Sequence, residues 1–235
     1  MRLRSLLLPG LVLAAGVAQA APDPFDYGLA NILILQNKAV QKELGITQAQ
    51  RDRMNSYAKV QGQSAARVQA EAQKAGQKGY NPDQQKRIQQ GFLTLRAGVL
   101  NLLTPPQLKR LRELTIRSAG TAALLDPNIG KRLKITEPQR KSMAQAFGAG
   151  QKEAGTLQQR AFQPVMKKYQ AKKPASSDEA KKLQASYTVE MKGAARGITA
   201  QMQAIEKRTA TKMLGALTAS QRAGFEALKG KPAKA

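Results

Sequence analysis

One short motif occurs four times in this chain, and it constrains the fold more than any other feature. Each copy contains Leu or Ile, then Thr, two variable residues and Gln, and another large apolar residue follows four positions after the Gln. The copies occupy residues 46–50, 103–107, 135–139 and 217–221, and the apolar residues that follow them are Met54, Leu111, Met143 and Phe225. Chance does not readily produce this pattern four times in 235 residues, so we interpret it as an internal repeat.

The motif has the chemistry of a helix N-terminus. A Thr at the N-cap accepts a hydrogen bond from a free backbone N–H of the first turn, and a Gln three positions later accepts one from the N–H of the cap residue. Pro105 falls at the first helical position, where its missing N–H costs nothing. We therefore interpret the Thr and Gln side chains as structural caps, each contributing about 1 kcal/mol. They are Thr47, Gln50, Thr104, Gln107, Thr136, Gln139, Thr218 and Gln221.

The motifs pair into two similar halves of the chain. The first and third copies are both preceded by a Lys and a Leu and followed by an Arg and a Met. In each half, apolar residues recur every three or four positions, which predicts amphipathic helices, and no long run of strict alternation favours a strand. Turn-forming residues interrupt the halves at 76–82 and 172–177, which predicts a helical hairpin in each.

The predicted fold is therefore all-α, with two tandem long helical hairpins, each opened and closed by a helix that the motif caps. The first hairpin unit covers residues 21–120 and the second covers residues 121–228. The motif Thr residues are 57 positions apart in the first half and 82 in the second, so we expect the second hairpin to be longer. The pattern leaves open whether the apolar stripes close into a core or form an exposed groove.

Residues 1–20 have the composition of a cleaved export signal. Arg2 and Arg4 precede a short apolar run over residues 6–17, and residues 18–20 read Ala-Gln-Ala, which is a typical cleavage site. The run is too short to span a bilayer, and we predict no transmembrane segment. We expect cleavage between Ala20 and Ala21 and a periplasmic or otherwise extracytoplasmic location. The basic tail over residues 229–235 is predicted to be disordered.

The composition excludes several kinds of chemistry. The chain has no Cys and no His, which removes disulfides, thiol chemistry, the commonest general base and the commonest metal ligand. The adjacent acids Asp178 and Glu179 fall in a predicted first helical turn, where negative charge complements the helix dipole. We therefore expect no enzymatic activity, no metal site and no cofactor.

The four motifs and the export signal together resemble the Spy/CpxP-like family of exported helical proteins, whose mark is a repeated LTxxQ motif. The resemblance covers residues 32–228. It implies hairpins that form a curved, basic cradle. Family members include ATP-independent periplasmic chaperones, proteins that damp envelope-stress signalling and metal-sensing proteins. The metal-sensing role requires His or Cys clusters, which this chain lacks.

Members of this family usually carry two motifs and pair as dimers, whereas this chain carries four motifs. The resemblance therefore implies that one chain supplies both halves of a cradle, and we favour a functional monomer over a homodimer. The leading hypothesis is a chaperone-like protein that binds unfolded or acidic client proteins. One alternative is an envelope-stress accessory that binds the periplasmic domain of a sensor. Another is a polyanion-binding envelope protein.

The charge balance supplies the candidate binding residues. The formal net charge is +24, from 39 Lys and Arg against 15 Asp and Glu. These basic residues form either solvated helix faces or a surface that attracts acidic clients over long range. Nucleic acid is not favoured, because no aromatic residues alternate with the basic ones and no nucleic-acid motif is present. The candidate client-binding residues are Arg51, Arg53, Arg67, Lys74, Lys131, Arg140, Arg160, Lys167 and Lys168.

Overall fold

The computed structural model describes residues 23–172 and 174–232. Throughout these two ranges every regular element is an α-helix or a 3₁₀-helix, which confirms the predicted all-α class. No helix within them combines the length and the apolar character needed to cross a membrane. The predicted export signal over residues 1–20 and its cleavage point at Ala21 lie outside the described residues.

The chain divides into two compact units, the first ending at Lys109 and the second beginning at Arg110. This division lies within one helix, whereas the repeat pattern predicts a boundary between residues 120 and 121, which stays a prediction. The first unit contains α1 (Pro24–Leu29), a 3₁₀-helix (Ile32–Gln36), α2 (Lys38–Glu43), α3 (Gln48–Lys74), α4 (Pro82–Leu100) and the start of α5 (Pro105–Ala119).

In the first unit, α3 and α4 pack against each other as antiparallel neighbours. Gly76, with a φ of 63°, lies in the turn after α3. Gly98 lets the helices approach closely, because a Cβ at this position would lie 3.1 Å from the ring of Tyr57. At the base of the hairpin, opposite this turn, apolar side chains of the short helices, of α4 and α5 and of the segments between helices are buried. They are Ile32, Leu35, Leu44, Ile46, Val99, Leu100, Leu103 and Leu108.

The second unit repeats this order, and its two hairpin helices are longer. It contains the rest of α5, a 3₁₀-helix (Gly120–Leu125), α6 (Pro127–Arg132), α7 (Glu137–Gln170), α8 (Ser177–Gly215) and α9 (Ala219–Leu228). Helix α7 has 34 residues against 27 in α3, and α8 has 39 against 19 in α4. The extra length of the second hairpin therefore lies mainly in α8.

Residues 229–232, which the sequence predicts to be disordered, lie against α5 in the second unit. Arg117 Nη2 donates to the carbonyl of Gly230 at 2.6 Å, and Arg112 Nη1 donates to the carbonyl of Leu228 at 2.6 Å. Arg110 Nη2 donates to the carbonyl of Pro232 at 3.1 Å. These charge-assisted bonds satisfy carbonyls at and beyond the end of α9, where the helix itself has no donors to offer.

Candidate functional site

The motif residues form reciprocal caps at the helix starts. Thr47 Oγ1 accepts from the N–H of Gln50 at 3.2 Å, and Gln50 Oε1 accepts from the N–H of Thr47 at 3.0 Å. The same pair of bonds forms at Thr136 with Gln139 and at Thr218 with Gln221. At the remaining copy, Gln107 Oε1 accepts from the N–H of Thr104 at 2.9 Å.

The motif Gln side chains also bind each other, a contact that capping alone does not predict. In the first unit, Gln50 Nε2 donates to Gln107 Oε1 at 2.9 Å and to the carbonyl of Leu102 at 2.7 Å. Gln107 Nε2 donates in return to the carbonyl of Leu44 at 3.1 Å. Each amide therefore caps its own helix through its oxygen. Through its nitrogen it donates to the backbone that precedes the other motif of the unit.

The second unit contains the same arrangement. Gln139 Nε2 donates to Gln221 Oε1 at 2.8 Å and to the carbonyl of Ala216 at 2.9 Å. Gln221 Nε2 donates to the carbonyl of Lys134 at 3.1 Å. One Gln–Gln pair thus closes the base of each hairpin. The sequence feature that could have predicted these pairs is the occurrence of two motifs in each half of the chain.

The Arg that follows a motif Gln is directed toward the chain itself. Arg51 Nη1 donates to the carbonyl of Ile46 at 2.6 Å, and Arg222 Nη1 donates to the carbonyl of Leu217 at 2.7 Å. Arg140 instead forms an ion pair with Glu137. Arg51 and Arg140, both predicted as client-binding residues, are thus already engaged in local contacts.

The other predicted binding residues are exposed, and all lie on the hairpin helices except Lys131, which lies on α6. Lys168 Nζ is paired with Glu190 Oε1 at 2.6 Å. The remaining candidates are exposed and have no ion-pair partner within residues 23–172 and 174–232. In the first unit these are Arg53, Arg67 and Lys74, and in the second unit Lys131, Arg160 and Lys167.

The second unit has an open groove along one side of the α7–α8 hairpin. It has a volume of about 590 Å³, and the segment over residues 117–122 lines one part of it. Its apolar walls include Phe147, Phe162, Ile198 and Met202, which are all only half-buried. The stripes of α7 and α8 therefore do not close completely into a core. They leave an apolar surface accessible, which the sequence pattern left undecided.

A group of polar contacts surrounds Tyr169 near the far end of the same hairpin. The hydrogen bond from Lys168 lowers the pKa of the Glu190 carboxyl, and the hydrogen bond from Tyr169 acts in the same direction. Desolvation raises the pKa of the Tyr169 hydroxyl, which donates to Glu190 Oε1 at 2.8 Å. The same ion pair raises the pKa of Lys168. Glu190 and Lys168 therefore both stay charged at neutral pH.

Within the described part of the chain, no group of three or more acidic side chains is placed to hold a metal ion. Comparison of the chain with models of protein families, with characterised proteins and with solved structures finds no match. The resemblance to the Spy/CpxP-like family therefore rests on the four motifs and stays a prediction.

Proposed function

We propose that this protein is an exported, ATP-independent, chaperone-like protein that binds unfolded or aggregation-prone proteins. The observation that supports this proposal most is the groove of the second unit. Its half-buried walls, Phe147, Phe162, Ile198 and Met202, offer apolar surface to exposed apolar segments of an unfolded chain. Met202 adds a flexible and polarisable contact that adapts to segments of different shape.

The exposed basic residues support the same proposal. Arg160 and Lys167 lie on α7 outside the groove, Arg160 in a second depression of the same hairpin, and neither has an ion-pair partner among the described residues. Unpaired cations attract acidic clients over long range and raise the encounter rate. Arg53, Arg67 and Lys74 offer the same charge on the first hairpin. The proposed client is therefore an unfolded protein with apolar segments and net negative charge.

The finer architecture that we propose is a Spy-like pair of tandem hairpins forming one basic cradle in a single chain. It is supported by the Gln–Gln pair that closes each unit within itself. A unit that is closed by its own two motifs does not need a motif from a second copy. We therefore propose that the functional form is a monomer.

The test is suppression of aggregation, measured by light scattering, for several unrelated acidic proteins in the absence of ATP. We expect Ile198→Gln, in the groove, to weaken suppression several-fold. The matched control is Val189→Gln on the same helix, where the side chain is 69% exposed and lies outside the groove. Thermal unfolding of each variant verifies that the helices remain folded.

Three outcomes would contradict the proposal. Suppression that is equally affected by both variants would remove the groove as the binding site. Capture of one envelope protein, without suppression for unrelated clients, would favour the accessory that binds a sensor domain. Loss of binding to every polymer at moderate salt, regardless of apolar content, would favour the polyanion-binding protein.

A further inference from the structure

The second hairpin has a chemically distinct end, which we call the hairpin tip. It consists of residues 166–172 at the end of α7 and residues 174–187 at the start of α8. With 34 and 39 residues, the helices extend the hairpin by about 50 Å at a rise of 1.5 Å per residue. The tip is thus remote from the Gln–Gln pair that closes the base of the same unit.

The tip contains an open apolar depression with a volume of about 430 Å³. Tyr169 and Tyr187 lie in it edge to face, with ring centroids 5.3 Å apart. Met166 and Leu183 line it as well, and Met166 is 38% exposed. Two aromatic rings with polar hydroxyls, beside a flexible thioether, form a surface that is apolar in its body and polar at its edges.

Lysines are frequent on the two helix ends that form this depression. The ammonium groups of Lys168 and Lys172 lie 5.6 and 5.1 Å from the centroid of the Tyr169 ring. Lys167, Lys181 and Lys182 are exposed on the same two helix ends. Two cations therefore lie beside the apolar centre, and three more are exposed on the two helix ends that form it.

The acids in the tip and directly beside it are already engaged. Glu190 binds Lys168 and the hydroxyl of Tyr169. Glu179 accepts from the N–H of Ala175 at 2.7 Å, and Asp178 lies 3.4 Å from Lys181. Lys167, Lys172 and Lys182 have no ion pair within the described ranges, although Lys172 also attracts the Glu190 carboxylate. Positive charge therefore remains in excess at the tip.

We propose that the hairpin tip binds the surface of an anionic phospholipid membrane. Tyr and Met enter the interfacial layer, while the lysine stems lie along apolar surface and their ammonium groups reach the phosphates. Each basic residue close to an anionic bilayer strengthens binding roughly five-fold. A membrane surface is broad and its charge is distributed, so it can contact the shallow depression and lysines of both helix ends at the same time. A single acidic peptide would contact only a part of them.

The absence of Trp from the chain provides a direct test. In Met166→Trp the only indole lies in the tip, and in the control Val60→Trp it lies on α3 of the first unit, where Val60 is 64% exposed. Vesicles of phosphatidylglycerol mixed with phosphatidylcholine should shift the emission of Met166→Trp to shorter wavelength. They should leave Val60→Trp unchanged, and pure phosphatidylcholine vesicles should shift neither.

Charge reversal tests the lysines separately. Vesicle partition of the full chain, measured by flotation, should fall at least about 100-fold in the triple variant Lys167→Glu, Lys172→Glu and Lys182→Glu. The matched control is Lys141→Glu, Lys152→Glu and Lys207→Glu, which changes the charge equally on exposed positions of the same hairpin. Its partition should fall much less. All six positions are exposed, so circular dichroism should show unchanged helicity.

Two results would overturn the inference. Equal losses in the two triple variants would show that general positive charge, and not the tip, binds lipid. An emission shift of Met166→Trp with an acidic unfolded protein, but not with anionic vesicles, would show that the tip is a protein-binding site. Neither result bears on the groove, because Ile198 and Met202 lie outside the tip.

Discussion

At the scale of single residues, the motif Gln joins local and long-range structure in one side chain. The oxygen of Gln107 accepts from Thr104, three residues away, while its nitrogen donates to Leu44, 63 residues away. An amide carries both donors and acceptors, so one side chain can satisfy both requirements. A carboxylate at the same position would keep the cap but lose the donor.

This dual role predicts a strong response to Gln107→Met. The substitution leaves the Thr104 N–H and the Leu44 carbonyl without their partner, so we expect a loss of about 1–3 kcal/mol in the free energy of unfolding. Urea denaturation measures the loss. Gln89→Met, on an exposed position of α4, should change the unfolding free energy by less than about 0.5 kcal/mol. Combining Gln107→Met with Gln50→Met should cost less than the sum, because the two side chains share a hydrogen bond.

A second prediction at this scale concerns the Glu190 carboxyl. Its pKa is lowered below the ordinary value of 4.5, chiefly by the hydrogen bond from Lys168. The stabilisation from this charge is therefore present above the unfolded pKa and is lost as the pH falls through the lower folded pKa. An NMR titration should show a midpoint below 4.5 in the native chain. In Lys168→Met the midpoint should move up. No change in Lys168→Met would mean that Lys168 does not hold the carboxylate.

At the scale of the elements, the packing of α7 on α8 depends on small residues at the contact. A Cβ on Gly150 would lie 2.2 Å from Oγ1 of Thr209 and 3.1 Å from its Cβ. Thr is β-branched and short, so it cannot withdraw without moving the helix. Gly148, two residues earlier on α7, has open space where its Cβ would be. Helix packing therefore requires glycine at position 150, whereas no neighbouring atom requires glycine at position 148.

The matched pair Gly150→Ala and Gly148→Ala tests this difference. Ala is the better helix former by up to about 1 kcal/mol, so Gly148→Ala should raise the unfolding free energy. Gly150→Ala gains the same propensity but loses more through overpacking, which typically costs about 1–3 kcal/mol. Thermal and urea unfolding should thus move in opposite directions for the two variants. A stabilised Gly150→Ala would mean that α8 withdraws freely from α7.

At the scale of the whole molecule, a net charge of +24 makes any association dependent on the charge of the partner. The Debye length falls from about 10 Å at 0.1 M salt to about 3 Å at 1 M. Long-range attraction to an acidic partner is therefore removed by salt, while contact through apolar side chains remains. The two contributions to binding can be separated on this basis.

The corresponding prediction compares an acidic and a basic unfolded client. Stopped-flow association with the acidic client should slow by at least about ten-fold between low and physiological salt, while the basic client should bind slowly at all salt concentrations. The triple variant Arg53→Glu, Arg67→Glu and Arg160→Glu should slow the acidic client. Its stability should change little, because exposed charges contribute little to folding. A rate unaffected by both salt and the triple variant would exclude electrostatic capture.

The sequence by itself determined the features that depend on neighbouring residues. Helices α3, α7 and α9 begin directly after Thr47, Thr136 and Thr218, because capping bonds connect residues only three positions apart. The apolar positions of α8, from Leu183 to Thr209 in steps of three or four, are all buried or half-buried. Helical periodicity depends on neighbouring residues, and it therefore predicted the all-α fold class and the helix faces that point inward.

Only the tertiary structure decided which distant groups meet. The Gln–Gln pairs join residues 57 and 82 positions apart, and no local pattern specifies such contacts. The same holds for Arg112 and Arg117, which bind carbonyls more than 100 positions away and hold residues that the composition alone predicts to be disordered. Whether an apolar stripe becomes core or groove depends on whether a third layer covers it. In the second hairpin part of that face stays open, because the segment over residues 117–122 lines only a part of the groove that runs beside α7 and α8.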